Sequence, residues 1–192
     1  MKKILALTVL SFFLTKCAAG ENKPQAAAGG PSKKEIKENI RLLDDSLKTM
    51  YQEIMQNPDK QVPSDMINRA IDLKMEFYNS FPEDAFAAEC LDKVQQLHLQ
   101  EKSYAKSVEA GDLLIAKYPR YKQRAQVLMS VASTYDYMLK NIPMATKYYQ
   151  MLLDEYPKMN PETREMIAFR MEHIDLTFEE MVELQMRNIP SK

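Results

Sequence analysis

Apolar residues recur every three or four positions along most of the chain after residue 32. This spacing places them on one face of an α-helix, so the pattern predicts helices that pack against one another. The first helix opens at Ser32 and Glu35, which have the spacing of a capping box. Packing on the next helix is the simpler use of its apolar stripe, and a dimeric coiled coil is the alternative. The stripe consists of Ile36, Ile40, Leu43, Leu47, Met50 and Ile54.

Seven helices are predicted, because proline, asparagine and serine residues separate the apolar segments. Ser64 and Asn160 stand where N-cap residues are expected, and Pro161 follows at a first helical position. The predicted helices extend from Ser32 to Asn57, over 64–80, from Pro82 onward, over about 103–117, over about 121–140, from Pro143 to Tyr156 and over about 161–187.

The second, fourth and sixth helices end in the same way, with an aromatic residue followed by a proline. The prolines, Pro82, Pro119 and Pro157, are 37 and then 38 residues apart. A small residue lies 12 positions before each proline, and a large apolar residue lies five positions before it. A fixed period of this length indicates a stacked helical repeat. The small residues are Ala70, Ser107 and Ala145, and the large ones are Phe77, Leu114 and Leu152.

This register resembles the tetratricopeptide repeat, a helix–turn–helix unit whose second helix carries a small residue at its crossing point and closes near a proline. The resemblance covers roughly residues 35–190. It implies an all-α fold built as a right-handed stack of antiparallel helical hairpins, an α-solenoid of about three hairpins plus a C-terminal capping helix. In type it is similar to exported tetratricopeptide proteins, such as the lipoprotein of the outer-membrane barrel-assembly machine and the periplasmic coordinator of the Tol–Pal system.

The N-terminus has the pattern of a targeting signal rather than of a folded element. Lys2 and Lys3 precede an apolar core over 4–14, which is too short to span a bilayer. The next residues resemble a lipobox, so residues 1–17 are expected to be a lipoprotein signal, with Cys17 acylated as the new N-terminus. Ordinary signal-peptidase cleavage after the following small residues and an uncleaved signal are the alternatives. All three imply export.

Residues 18–32 contain no large apolar side chain and are expected to form a disordered tether. Such a tether would reach on the order of 20 Å. It would connect an anchored N-terminus to the helical domain, which is predicted over residues 33–192.

Composition and charge agree with a helical domain that does not bind nucleic acid. Hydrophobic residues make up 45% of the chain and charged residues 28%, and the formal net charge is −1. Removal of the first 20 residues takes away three lysines and brings the net charge to about −4, which argues against nucleic acid as a partner. Glycine is scarce, with four in all. The one inside a predicted helix, Gly111, predicts close approach of a neighbouring backbone.

The first helix of each hairpin lines the concave face of a stacked array. Carried over position by position, the resemblance therefore implies a protein-binding groove on the third, fifth and seventh helices. Amides, acids, methionine and tyrosine suit an extended peptide or a partner helix, and the alternative is that these are ordinary solvated positions. The groove residues are Glu89, Asp92, Gln96, Gln100, Gln126, Met129, Ser133, Asp136, Tyr137 and Arg164.

The turn over residues 117–124 concentrates basic groups between aromatic residues. It is suited to an anionic partner, such as lipid headgroups or an acidic protein. The simpler interpretation is a solvated turn whose tyrosines pack inward. The basic residues are Lys117, Arg120, Lys122 and Arg124.

No catalytic, metal or cofactor site is predicted. His98 and His173 are the two histidines, and neither belongs to a set of ligands at the helical spacing that a metal site needs. The chain has no glycine-rich phosphate loop and no G-x-S-x-G motif. Cys90 lies on an apolar face and is expected in the core rather than as a nucleophile, and the 14 methionines are expected to fill core space.

The leading hypothesis is a non-enzymatic protein–protein interaction scaffold, exported and held by an N-terminal lipid at a bacterial envelope membrane, with the outer membrane favoured. The alternative is a soluble secreted or periplasmic protein that forms a homo-oligomeric structural component through its first or seventh helix. An enzyme would require an enclosed polar pocket around His98 or His173.

Overall fold

The computed structural model describes residues 30–187, except for the side chains of Phe178 and Gln185. This part of the chain is all-α, as predicted, and contains no strand. A π-helical segment, Thr134–Met138, continues the fifth helix. The predicted signal with Cys17 and most of the predicted tether lie outside the described residues. The helices are α1 (Lys33–Gln56), α2 (Ser64–Ser80), α3 (Ala85–Gln100), α4 (Tyr104–Lys117), α5 (Arg124–Ser133), α6 (Ile142–Glu155), α7 (Pro161–Glu172) and α8 (Phe178–Arg187).

Local capping groups determine several helix starts. The predicted capping box of α1 is present, since the Glu35 N–H donates to Ser32 Oγ at 3.3 Å and the Ser32 N–H donates to Glu35 Oε2 at 2.6 Å. Asn160 caps α7 by accepting a backbone N–H at 3.2 Å, and Pro161 is the first helical residue. Both predictions are confirmed. The prediction for Ser64 is wrong by one position, because it is the first residue of α2 rather than its N-cap.

The three aromatic–proline corners share one backbone conformation. At Phe81, Tyr118 and Tyr156, φ lies between −137° and −123° and ψ between 56° and 66°. Each aromatic N–H donates to the carbonyl four residues earlier at 2.9–3.1 Å, and each aromatic carbonyl accepts the N–H three residues later at 3.0–3.1 Å. The same turn therefore occurs three times, at the period found in the sequence.

The small and large residues predicted from this period also share their environments. The three small residues have no exposed surface and lie on α2, α4 and α6. The three large apolar residues on the same helices are at most 2% exposed. The sequence period therefore corresponds to a packing environment that recurs along the chain.

Each helix packs mainly against its neighbours in sequence, from α1 on α2 through to α6 on α7. The largest apolar core includes buried residues of all seven of these helices. A smaller cluster lies at the N-terminal end, around Leu47 and Ile67. The apolar stripe of α1 is used inside the domain, because Ile36, Ile40 and Leu47 are buried.

Helices α4 and α5 lie close together at Gly111. A Cβ atom on Gly111 would lie 2.4 Å from Cγ2 of Val131 on α5, a distance that carbon atoms do not sustain. The predicted close approach is therefore present, although the neighbouring group is a side chain rather than backbone. Glycine in a helix interior costs about 1 kcal/mol relative to alanine, and here it permits the two helices to pack.

The predicted fifth helix changes its winding before its end. After α5, five residues form the π-helical segment, in which the Leu139 N–H donates to the Thr134 carbonyl at 3.0 Å. This bond spans five residues instead of four, so the turn is wider than in an α-helix. The adjacent residues Tyr135 and Asp136 are thereby both buried, with 9% and 1% exposure.

The prediction of a single helix over 161–187 is wrong, because residues 173–177 separate α7 from α8. Arg170 donates to three backbone carbonyls of this linker at 2.7–3.1 Å, which satisfies carbonyl groups left open at a helix end. Thr177 and Glu180 then form a capping box at the start of α8. A C-terminal helical pair therefore replaces the predicted capping helix.

Replacing Gly111 with alanine is expected to lower the free energy of unfolding by about 1–2 kcal/mol, because the new methyl group meets the stiff, β-branched Val131. Helix propensity alone predicts the opposite sign, a stabilisation of about 1 kcal/mol. Urea unfolding followed by circular dichroism measures the difference.

The matched control repeats the Gly111→Ala change in a Val131→Ala background, where the clash is removed and the cost should shrink or reverse. A Gly111→Ala protein as stable as the parent would show that α4 and α5 do not pack as described.

Candidate binding surface

An open recess lies between α1 and α3, which are the first helices of two successive hairpins in the predicted order. Its volume is about 460 Å³, and we call it the α1–α3 recess. Leu47 and Leu97 provide apolar surface, and Tyr51 and Met55 lie beside them on α1. Met55 is 84% exposed, which is unusual for a large apolar side chain. The polar lining residues are Asp44, Lys48, Gln52, Lys74, Lys93, Gln96 and Gln100.

Lys74 is buried beside this recess, with 2% of its side chain exposed. Its Nζ forms an ion pair with Asp44 Oδ1 at 2.6 Å, and the Asp44 side chain is 43% exposed. A buried ammonium group is costly unless it is paired, so Asp44 stabilises it. Lys48 and Lys93 are further cations of the lining. With three lysines and one aspartate, the recess carries an excess of positive charge.

Two predicted groove residues, Gln96 and Gln100, line the α1–α3 recess and are exposed. Gln100 Oε1 accepts the Tyr51 hydroxyl at 2.7 Å. Gln96 Nε2 donates to Asp92 Oδ1 at 2.8 Å. These bonds orient the two side chains, and each amide retains hydrogen-bonding capacity of the kind that matches a peptide backbone.

A second recess, of about 620 Å³, lies between α5 and α7 and is bordered by α6. The predicted groove residues Gln126 and Met129 line it, and we call it the α5–α7 recess. Gln126 is exposed and Met129 is half-buried. Ser130 of the recess lining accepts a hydrogen bond at its Oγ from Gln95 Nε2 of α3 at 2.6 Å. Four of the ten predicted groove residues thus line two recesses instead of one groove.

Two other predicted groove residues, Asp92 and Asp136, are buried, with 5% and 1% exposure. Asp92 Oδ2 accepts the Tyr121 hydroxyl at 2.8 Å, which ties α3 to the turn before α5. Asp136 accepts from Arg170 on α7. Both carboxylates are therefore used inside the fold, where they connect helices.

Arg170 is the centre of the most extensive buried polar network among the described residues. Its Nε and Nη2 donate to the two carboxylate oxygens of Asp136 at 2.7 and 2.6 Å. The remaining N–H groups donate to the carbonyls of the α7–α8 linker, so all five guanidinium donors have protein partners. The guanidinium carbon lies 5.3 Å from the ring centre of Tyr137, and the Tyr149 hydroxyl donates to Asp136 at 3.2 Å. This network attaches α7 and α8 to the π-helical segment.

The other predicted groove residues have different environments. Ser133 is half-buried, and its hydroxyl lies 3.5 Å from the Tyr149 hydroxyl. Glu89 is exposed and forms an ion pair with Lys122 at 3.4 Å. Arg164 is exposed and donates to a backbone carbonyl of α6 at 3.3 Å.

The histidine and cysteine side chains considered for catalysis or metal binding are half-buried or buried. His98 is half-buried, and burial lowers its pKa. Burial raises the pKa of the Cys90 thiol to about 12, so this buried residue is a protonated thiol at neutral pH. Within residues 30–187, no group of three histidine, cysteine or acidic side chains is arranged to hold a metal ion.

Within the part of the chain that the structure describes, three cations are buried whose burial was not predicted from the sequence: Lys74, Arg124 and Arg170. Arg124 donates to both carboxylate oxygens of Glu155 at 2.7 and 2.8 Å and to the Ile115 carbonyl at 2.5 Å. All three cations lie three or four positions from apolar core residues. This spacing is the feature of the sequence that could have indicated their burial. Their acidic partners are 30 or more residues away, so the sequence alone did not identify the pairs.

Removing either partner of the buried pair, by Arg170→Met or Asp136→Asn, is expected to cost about 3–5 kcal/mol, because an unpaired charge or polar group remains buried. The double variant should cost less than the sum of the single variants. Urea unfolding measures the three values.

The exposed pair Arg187–Glu183, at 3.0 Å, provides the control, and Arg187→Met should change stability by less than about 0.5 kcal/mol. Hydrogen exchange should accelerate over residues 173–187 in Arg170→Met before it does elsewhere. Strictly additive single-variant effects, or unchanged exchange in this segment, would contradict the described network.

No protein-family model, curated protein or solved structure matches this chain. None of the helices within residues 30–187 combines the length and the apolar character that spanning a bilayer requires.

Proposed function

We propose that this protein is a non-enzymatic scaffold that binds a segment of a partner protein in the α1–α3 recess. The observation that carries the proposal is the combination found there: an apolar floor, exposed amides on one wall and unbalanced positive charge. Apolar surface contributes affinity, and oriented amides select for a peptide backbone. A groove open at its surface suits a chain segment better than a small molecule, which is usually enclosed.

The proposal includes the arrangement of the hairpins as a right-handed, tetratricopeptide-like stack. Three identical corners and three fully buried small residues support a repeated unit. Contacts between alternate helices support stacking as well. Tyr51 of α1 reaches Gln100 of α3, and Tyr148 of α6 donates to Asp112 of α4 at 2.6 Å. Such contacts are expected when each hairpin lies on the next.

The second part of the proposal concerns location. The lipobox-like sequence around Cys17 supports an exported lipoprotein whose helical domain is held near a bacterial envelope membrane by the segment before α1. A scaffold anchored in this way would meet partners at high effective concentration, so modest affinity in the recess would suffice.

Site-specific photo-crosslinking in cells tests the binding site. A benzoylphenylalanine residue placed at Gln96 or Gln100 is expected to form discrete adducts with a partner, because both side chains are exposed in the recess. Exposed positions of α2 outside the recess, Arg69 and Asp72, serve as controls. Absence of adducts at both recess positions, or equal adduct yield at the controls, would contradict the proposal.

Mass spectrometry of the mature N-terminus tests the anchor separately. The expected result is a chain that begins at Cys17 and carries acyl groups. A mature chain that begins after Gly20, or one that keeps residues 1–16, would contradict the lipoprotein assignment and leave the recess proposal untouched.

A further inference from the structure

A third pocket lies at the corner between α4 and α5, and its lining shares no residue with the α1–α3 recess or the α5–α7 recess. Its volume is about 410 Å³, and we call it the corner pocket. Tyr118, Pro119 and Tyr121 contribute its aromatic and proline surface, and Ala85 and Ala88 of α3 contribute small side chains. Small residues opposite aromatic rings leave space of the size that one inserted side chain fills.

The two tyrosines are held in place by bonds inside the fold. The Tyr118 hydroxyl donates to the Pro82 carbonyl at 2.6 Å, and the Tyr121 hydroxyl donates to Asp92 Oδ2 at 2.8 Å. Their rings are therefore positioned before any partner arrives, which reduces the entropy lost on binding. Preorganised aromatic surface of this kind is typical of the energetic centre of an interface.

Basic side chains border the corner pocket. Lys122 is 3.4 Å from Glu89, the one acidic residue of the lining. Lys117 lies over the ring of Tyr78, 5.1 Å from its centre, and Arg120 is exposed. Neither Lys117 nor Arg120 forms an ion pair with the described residues, although the whole chain carries a formal net charge of −1. The pocket is thus a positively charged site on a protein whose net charge is slightly negative.

We propose that the corner pocket binds an acidic, extended segment of a partner protein. One aliphatic or aromatic side chain of that segment fills the space between Tyr118, Tyr121 and the α3 alanines, and flanking carboxylates pair with Lys117 and Arg120. Charge complementarity selects the acidic segment, and the concave apolar surface selects a protein over a bilayer. A flat layer of lipid headgroups would contact the basic rim and leave the pocket unfilled.

A titration of the full chain with model peptides, followed by amide chemical shifts, tests this proposal. The probe is the heptapeptide Asp-Glu-Asp-Leu-Asp-Glu-Asp. One matched peptide replaces the leucine with serine, and another replaces the acids with asparagine and glutamine. The expected result is saturable shifts at Ala85, Ala88 and Tyr121 with the probe, and binding at least about fivefold weaker for each matched peptide.

Two protein variants locate the site. Lys117→Gln/Arg120→Gln/Lys122→Gln should weaken probe binding by about tenfold or more, because each lost ion pair contributes a small increment. A control triple variant with the same substitution at Lys60, Lys106 and Lys140 removes the same number of charges. It should change the affinity for the probe by less than about twofold. Ala85→Phe, at an exposed position of the lining, should block the pocket without affecting the core.

Equal affinity for all three peptides, or equal loss in the control triple variant, would overturn the proposal. Co-sedimentation with phosphatidylglycerol vesicles provides a second test. If the chain binds the vesicles only when Lys117, Arg120 and Lys122 are present, and does not bind the probe peptide, these residues contact a membrane surface and the proposal is overturned. Crosslinking at the α1–α3 recess is independent of these outcomes, so failure here does not affect the proposed function.

Discussion

Close packing of α4 against α5 at Gly111 and Val131 is the constraint on which the arrangement of the domain depends. The corner that joins these helices is one of three with the same backbone geometry. Similar turns therefore follow α2, α4 and α6. A side chain at Gly111 would hold the two helices apart, and helices packed through small residues keep their side chains interdigitated. The buried residues on either side of this contact belong to one core.

Apolar packing is not directional, so polar contacts are needed to fix the position of each helix along its neighbours. Asp112 accepts from Tyr135 and Tyr148, Arg124 pairs with Glu155, and Arg170 pairs with Asp136. Each contact joins segments that are more than 20 residues apart. Because a buried polar group is costly when it lacks its partner, these pairs favour a single arrangement of the helices. The recesses lie between helices that the packing holds in place, which suits a binding surface.

Much of the fold was predictable because it repeats a local pattern. Helical periodicity identified the elements, and the aromatic–proline period identified three equivalent corners. The break between α7 and α8 was missed, although Thr177 and Glu180 had capping-box spacing, because the apolar stripe continued through it. The π-helical segment depends on burying Tyr135 together with Asp136, which requires distant partners. For the same reason, the groove prediction placed Gln96 and Gln126 in recesses and did not anticipate that Asp92 and Asp136 are buried.

The nuclear Overhauser effect between the Gly111 Hα protons and the Val131 methyl groups tests the central claim most directly. Gly111 is the one glycine that follows the start of α1, so its resonances can be identified without ambiguity. The described packing predicts a strong cross-peak, because the two groups are in van der Waals contact. Absence of this cross-peak in the assigned spectrum of the folded protein would show that α4 and α5 pack differently, and would contradict the described packing of the helices.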